Sequence, residues 1–196
     1  MSDHCFRMGI DVGSTTAKVV LLDPAGEIVF SDYRRHNAEP LVALQAIVAD
    51  ALRAFGGPEV ADAPLGVLVT GSAGMGIAER FGLPFIQEVI ASAEVVRRLC
   101  PQVRTLVDIG GEDAKMIFFD TDGVPDIRMN GACAGGTGAF IDQMASLLNV
   151  SLRDLDALAA RHTTLHPIAS RCGVFAKTDV QNLLSREVAR EDVAAS

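Results

Sequence analysis

The 196-residue sequence has no tryptophan, one tyrosine and four cysteines, and no cysteine stands in a CxxC pair. So few and so scattered, Cys5, Cys100, Cys133 and Cys172 exclude a disulfide-stapled scaffold and a zinc ribbon. A Lys/Arg-rich run is also missing. Acidic residues outnumber basic ones 25 to 17, and a net charge of −8 argues against a nucleic-acid or anionic-membrane surface. No apolar stretch reaches the ~18 residues that span a bilayer. The opening "MSDHCFRMGIDVG" has neither the charged nor the apolar region of a cleavable signal. These absences predict a cytoplasmic protein with reduced thiols, and a 49% apolar content lets it bury a core.

What is present is a duplication. "GIDVGSTTAKVV" (9–20) aligns with "LVDIGGEDAKMI" (106–117), superimposing Asp11 on Asp108, Gly13 on Gly110, Ala17 on Ala114 and Lys18 on Lys115 at one constant offset. Each copy reads as strand, tight Asp-x-Gly loop, strand, turn ("DPAGE" at 23–27, "DTDG" at 120–123), strand. Beyond each unit the apolar period lengthens to between three and four, predicting helices over 41–55 and 139–150. "PLGVLVTG" reads as a buried strand running into a loop. The sequence thus predicts an α/β protein of two lobes, 1–100 and 101–196, divided near Pro101, with the second expected to be incomplete at its C-terminus because "SREVAREDVAAS" starts a helix with no closing strand after it.

Paired Asp-x-Gly hairpins suit a nucleoside triphosphate. Glycine lets backbone approach phosphate oxygens, open N–H groups bind the anion, and an aspartate at a strand end can hold hydrated Mg²⁺. Gly13, Ser14, Thr15, Thr16 and Lys18 are the first candidate set, and Gly110, Gly111 and Glu112 the second. Asp11 and Asp108 are the candidate catalytic and Mg²⁺-holding residues. Glu112 and Asp113 are either water-positioning groups or exposed turn acids. "GIDVGSTTAK" and "DIGGEDAK" resemble the phosphate-1 and phosphate-2 motifs of the actin, Hsp70 and sugar-kinase ATPase superfamily. That resemblance implies two RNase-H-like lobes closing over ATP-Mg.

Two cysteines keep different company from the others. Cys5 precedes the first strand and Cys100 ends a helix beside Pro101. Cys133, followed by "AGGTG", and Cys172, followed by "GVFAKTDVQNLL", are each expected at a helix N-terminus, with Ser170 a candidate cap for the second helix. That helix is expected to turn Val174, Phe175, Val180, Leu183 and Leu184 to the core. Open N–H groups at Gly135, Gly136 and Thr137 and the helix ends stabilise negative charge, as an iron-sulfur cluster requires. Two thiols are half a ligand set, and a two-fold axis doubles two to four, so one 4Fe-4S cluster would bridge a homodimer. The alternative is two buried free cysteines acting as small hydrophobes.

"NGACAGGTGAFIDQMASLL" with "IASRCGVFAKTDVQNLL", behind both phosphate motifs, resembles the activator (archerase) components of 2-hydroxyacyl-CoA dehydratases. It also resembles the ATPase subunits of benzoyl-CoA reductase, of the BadF/BadG/BcrA/BcrD type. The resemblance runs from Gly9 to the end. It implies a 4Fe-4S cluster held by Cys133 and Cys172 of each of two subunits, ATP/ADP with Mg²⁺, and one low-potential electron passed to a dehydratase or reductase partner. "TGSAGMG" and "PFIQEVIASA" resemble family segments, although Ser92 stands where many short activators have histidine. The wording is similar to activase modules opening very long proteins, with a glycine-rich adenine motif expected beyond Ser196.

Two rival readings share the fold: a small-molecule kinase, which leaves both cysteine motifs idle, and a non-catalytic nucleotide-sensing module. His4, His36, His162 and His166 lack metal spacing. "SLRDLDALAARH" opens as a capping-box helix from Ser151 to Asp154, with Leu152, Leu155 and Leu158 expected inward.

Overall fold

The computed structural model describes residues 5–55, 63–119, 125–131 and 133–196. The strands are β1 (Phe6–Val12), β2 (Thr16–Leu22), β3 (Ile28–Arg35), β4 (Leu65–Thr70), β5 (Thr105–Ile109), β6 (Ala114–Phe118) and β7 (Asp126–Asn130). The helices are α1 (Pro40–Phe55), α2 (Gly74–Phe81), α3 (Glu88–Leu99), α4 (Gly138–Leu147), α5 (Leu152–Ala159), α6 (Gly173–Ser185) and α7 (Arg190–Ala195). They form two compact units, Met1–Arg104 with Phe119–Pro125 and Thr105–Phe118 with Asp126–Ser196.

In the first unit, period-two alternation puts Met8, Ile10 and Val12 of β1 and Ala17, Val19 and Leu21 of β2 into one core. The sheet order is β3-β2-β1-β4, antiparallel except for the parallel β1–β4 pair. Leu44, Ile47 and Ala51, one stripe of α1, join the same core. Ile47 is wholly buried, which is worth about 1.5–3 kcal/mol. The Arg34 guanidinium bonds Asp32 and Asp50, tying β3 to α1. That pairing raises Arg34 above its ordinary pKa and lowers Asp50. The "DPAGE" turn closes as expected: Asp23 Oδ1 accepts the N–H groups of Gly26 (2.8 Å) and Glu27 (2.9 Å), with Gly26 at φ +96.

The second unit has a three-stranded antiparallel sheet, β5-β6-β7, and a helical cluster centred on Leu148, Leu158, Val180 and Val193. The "DTDG" turn lies outside the described residues, as does His4. The helix predicted over 139–150 ends at Leu147, because Asn149 takes the left-handed conformation (φ +52) that asparagine tolerates. Ser151 caps α5 as its spacing predicts, accepting the Asp154 N–H at 3.3 Å. Leu158 is buried, but Leu152 is 44% exposed, since it sits in the first turn, off the inward stripe. Helix α2 was not legible, because Gly74 and Gly76 lower its intrinsic propensity. Among the described residues no helix is long and apolar enough to cross a membrane.

Candidate functional site

The first Asp-x-Gly loop joins β1 to β2. Gly13 N–H donates to Thr16 O (2.9 Å), closing a tight turn through Ser14 and Thr15. Among the described residues the N–H groups of Ser14 and Thr15 find no protein acceptor. Asp11 and Lys18 are cross-strand partners, and Lys18 Nζ donates to Asp11 Oδ2 at 2.8 Å. Lys18 also lies over the Tyr33 ring, 5.4 Å from its centroid.

A segment the sequence reading left without a role packs on this loop. Gly71, at φ +94, follows Thr70, the parallel partner of Asp11. A Cβ at Gly71 would lie 2.4 Å from Val12 O and 2.5 Å from Asp11 Oδ1, so only glycine fits. Ala73 N–H then donates to Val12 O at 2.9 Å. The glycines of "TGSAGMG" were the available signal, but the sequence does not say which strand end they meet.

In the second loop Asp108 faces Lys115 in the register that Asp11 and Lys18 occupy in the first. The pairing differs. Lys115 is buried and its Nζ binds Asp113 Oδ2 at 2.8 Å. Asp108 is half-buried and makes no hydrogen bond or ion pair among the described residues. A Cβ on Gly110 would meet Asp113 Oδ1 at 2.5 Å and Asp113 O at 3.2 Å, so glycine here leaves Asp113 room for its bond to Lys115. Asp113 is therefore occupied by Lys115, while Glu112 is exposed.

This second loop also anchors α4. Gly138 N–H donates to Gly110 O (2.8 Å) and Ala139 N–H to Gly111 O (2.9 Å), so two of the orphan donors that open a helix are satisfied by the loop. Thr137, wholly buried, is the N-cap residue, and its hydroxyl donates to Ala134 O at 2.6 Å. Cys133 is not itself at the helix start. It lies in the preceding turn, because Gly136 (φ +83) bends the backbone before α4 begins. Its thiol is exposed and its Sγ accepts the Gly135 N–H at 3.3 Å. Asn130 Nδ2 donates to Cys133 O (3.4 Å) and Gly135 O (3.2 Å), tying the turn to β7.

Cys172 is the N-cap residue of α6, in place of Ser170, and is half-buried. The two cysteine loops meet. A Cβ on Gly173 would stand 3.1 Å from Gly135 Cα, and one on Gly135 would stand 3.3 Å from Cys133 Sγ. Val174 and Phe175 do not enter the core as expected; they are 70% and 66% exposed, because Ala176 and Val180 take the inward stripe. Cys5 lies beside β1, and Cys100 is the C-cap residue of α3. Among the described residues no three His, Cys, Asp or Glu side chains gather into a metal site.

The chain as a whole has relatives. The chain is 31% identical to the (R)-2-hydroxyglutaryl-CoA dehydratase activating ATPase of Acidaminococcus fermentans over 194 residues, 97% of the chain and 72% of the relative. The crystal structure of the Acidaminococcus fermentans (R)-2-hydroxyglutaryl-CoA dehydratase component A superposes with TM-score 0.84 at 30% identity, covering 97% of this chain and 72% of that one. The activator of the 2-hydroxyisocaproyl-CoA dehydratase from Clostridium difficile, solved with bound ADPNP, gives 0.81 at 31% identity, covering 96% and 69%. These likenesses bear out the α/β class of the actin, Hsp70 and sugar-kinase ATPase superfamily. The BadF/BadG/BcrA/BcrD ATPase family model matches residues 8–196, nearly all of the structure just described, and the chain belongs to that family.

Proposed function

We propose that this chain is a cytoplasmic, ATP-driven activator. As a homodimer it carries one 4Fe-4S cluster on Cys133 and Cys172 of both copies and gives one electron to a 2-hydroxyacyl-CoA dehydratase or benzoyl-CoA-reductase-like partner. The observation that carries the reading is the hydrogen-bonded seam from Gly110 and Gly111 to the α4 N-terminus. It continues through the Gly135–Gly173 contact to Cys172. A change in the second loop is thereby felt at both cysteine turns.

On this reading Ser14 and Thr15 offer open N–H groups to phosphate, the hydroxyls of Ser14, Thr15 and Thr16 add donors, and Lys18 neutralises charge. Asp11 and Asp108 hold Mg²⁺ and orient water, and Gly110, Gly111 and Glu112 form the second phosphate surface. The donor set fits a cluster: an exposed thiol and a half-buried one, with the Gly135 N–H on Cys133 Sγ and the α6 N-terminus at Cys172. Gly135, Gly136 and Thr137 shape the turn that presents Cys133. Four thiolates require the second copy. When bound, such a cluster supplies a one-electron carrier whose potential responds to hydrogen bonds on its sulfurs and to exposure.

Anaerobic reconstitution tests the reading, with iron and sulfide counted per dimer in wild type, Cys133→Ser and Cys172→Ser. About four irons per dimer, lost in either variant, is expected. A dimer with intact thiols that holds no iron overturns the activator reading in favour of a kinase or nucleotide sensor.

A further inference from the structure

His36 follows β3 and is 7% exposed. It touches the first phosphate loop twice: its backbone N–H donates to Thr15 O at 3.1 Å, and its ring Nε2 lies 3.1 Å from Gly13 O. A carbonyl oxygen only accepts, so Nε2 is the donor in this contact. Nδ1 is buried without a hydrogen-bond partner among the described residues. An apolar side chain would avoid that burial cost, so the position demands a donor, not just bulk.

The backbone around the residue carries a second cost. Asn37 (φ 48) and Ala38 (φ 65) are both left-handed, and alanine has no side-chain hydrogen bond to offset the clash of its Cβ. His36 O meanwhile accepts the Glu39 N–H at 2.7 Å, so the residue is pinned by both of its backbone polar groups and by its ring. Backbone held this way persists where surrounding contacts over-determine it.

The contact also aims the loop. In a trans peptide the C=O and the following N–H point in opposite directions. With Gly13 O drawn onto His36, the Ser14 N–H faces the other way, and that N–H has no protein acceptor among the described residues.

We propose that His36 is the positioning residue of the first phosphate loop: its Nε2–H fixes the Gly13–Ser14 peptide so that the Ser14 N–H is presented to a nucleotide phosphate. The proposal rests on the nucleotide reading above. Glutamine places an N–H where His36 has Nε2, whereas asparagine reaches only to the position of Nδ1, so the two amides separate a strap from a filler.

The test compares His36→Gln, His36→Asn and His36→Ala by the ADP-Mg²⁺ dissociation constant and, in nucleotide-free protein, by amide exchange at Gly13 and residue 36, whose N–H groups bond Thr16 O and Thr15 O. Asparagine and alanine are expected to speed exchange and weaken ADP by about tenfold each, the scale of one hydrogen bond, with glutamine within about threefold of wild type. Unchanged exchange in the β1–β4 pair marks an intact first unit. Wild-type behaviour of the alanine variant, or equal behaviour of the two amides, overturns the strap. Wild-type protein that binds no ADP-Mg²⁺ overturns the nucleotide reading instead, and the exchange comparison still decides the strap.

Discussion

The same substitution at two glycines five positions apart should have opposite signs. At Gly71 an added methyl meets Val12 O at 2.4 Å and Val12 C at 2.6 Å. Both are backbone atoms of the central strand and cannot swing aside. Overpacking costs about 1–3 kcal/mol or more, and a left-handed φ of +94 adds about 1–2 kcal/mol for an L-residue. Retreat of Val12 would also break the bond from Ala73 N–H, worth about 1 kcal/mol. Gly71→Ala should therefore cost about 3–6 kcal/mol. At Gly76, inside α2, nothing lies within 4 Å of the new methyl, and Gly76→Ala should stabilise by about 0.5–1 kcal/mol.

The chain reports this change conveniently, because its single tyrosine, with no tryptophan to mask it, is Tyr33 on β3 of the first unit. Urea unfolding followed by Tyr33 fluorescence, at a slope of about 1.5 kcal/mol/M, should move the midpoint down by roughly 2–4 M for Gly71→Ala and slightly up for Gly76→Ala. A Gly71→Ala midpoint within about 0.5 M of wild type would refute the packing argument.

Two further outcomes follow from the second unit. Gly138→Pro deletes the N–H that donates to Gly110 O. Thr137 already has the extended backbone (φ −109, ψ 167) that proline demands of its predecessor, and proline suits the first helical position. The proline Cδ takes the place of that hydrogen, and a Cβ at 138 would itself stand 3.1 Å from Gly110 O, so the second loop must retreat from the start of α4; ADP-Mg²⁺ affinity should fall by about tenfold or more, and calorimetry giving wild-type affinity would show that the seam does not reach the nucleotide. Asp192 accepts the N–H groups of Thr163 (2.7 Å) and Thr164 (3.0 Å), which hold its carboxyl below the ordinary 3.8. The unfolded chain then binds the proton more readily, so this contribution is complete above the unfolded value and is lost as pH falls through the lowered folded one. Asp192→Asn should flatten the acid slope of stability below about pH 4, read by amide exchange in α5 and α7; parallel slopes in variant and wild type would sink the assignment.

The divergence between the two loops shows how far a duplicated sequence constrains chemistry. Strand register is preserved, since Asp11 opposes Lys18 and Asp108 opposes Lys115. The charges are nevertheless used differently. Half-exposed Lys18 closes on Asp11, while Lys115 is drawn inward to Asp113 and leaves Asp108 without a protein partner among the described residues.

The hairpins, the equivalence of Asp11 with Asp108 and of Lys18 with Lys115, the "DPAGE" turn, helices α1 and α5 and the Cys172 helix were all determined by sequence alone. They rest on interactions a few residues apart: period-two alternation, a glycine at a turn, a serine at a cap. Tertiary structure decided what local pattern does not encode. Gly71 on Asp11, Gly138 on Gly110, Gly135 on Gly173 and His36 on Gly13 each join residues distant in sequence through glycines or a backbone carbonyl. A carbonyl is common to every residue, and a glycine reveals that something approaches closely without revealing what. The inward stripe of α6 was settled by packing for the same reason: Ala176 and Val180 fit the space at hand, and Val174 and Phe175 were left in solvent.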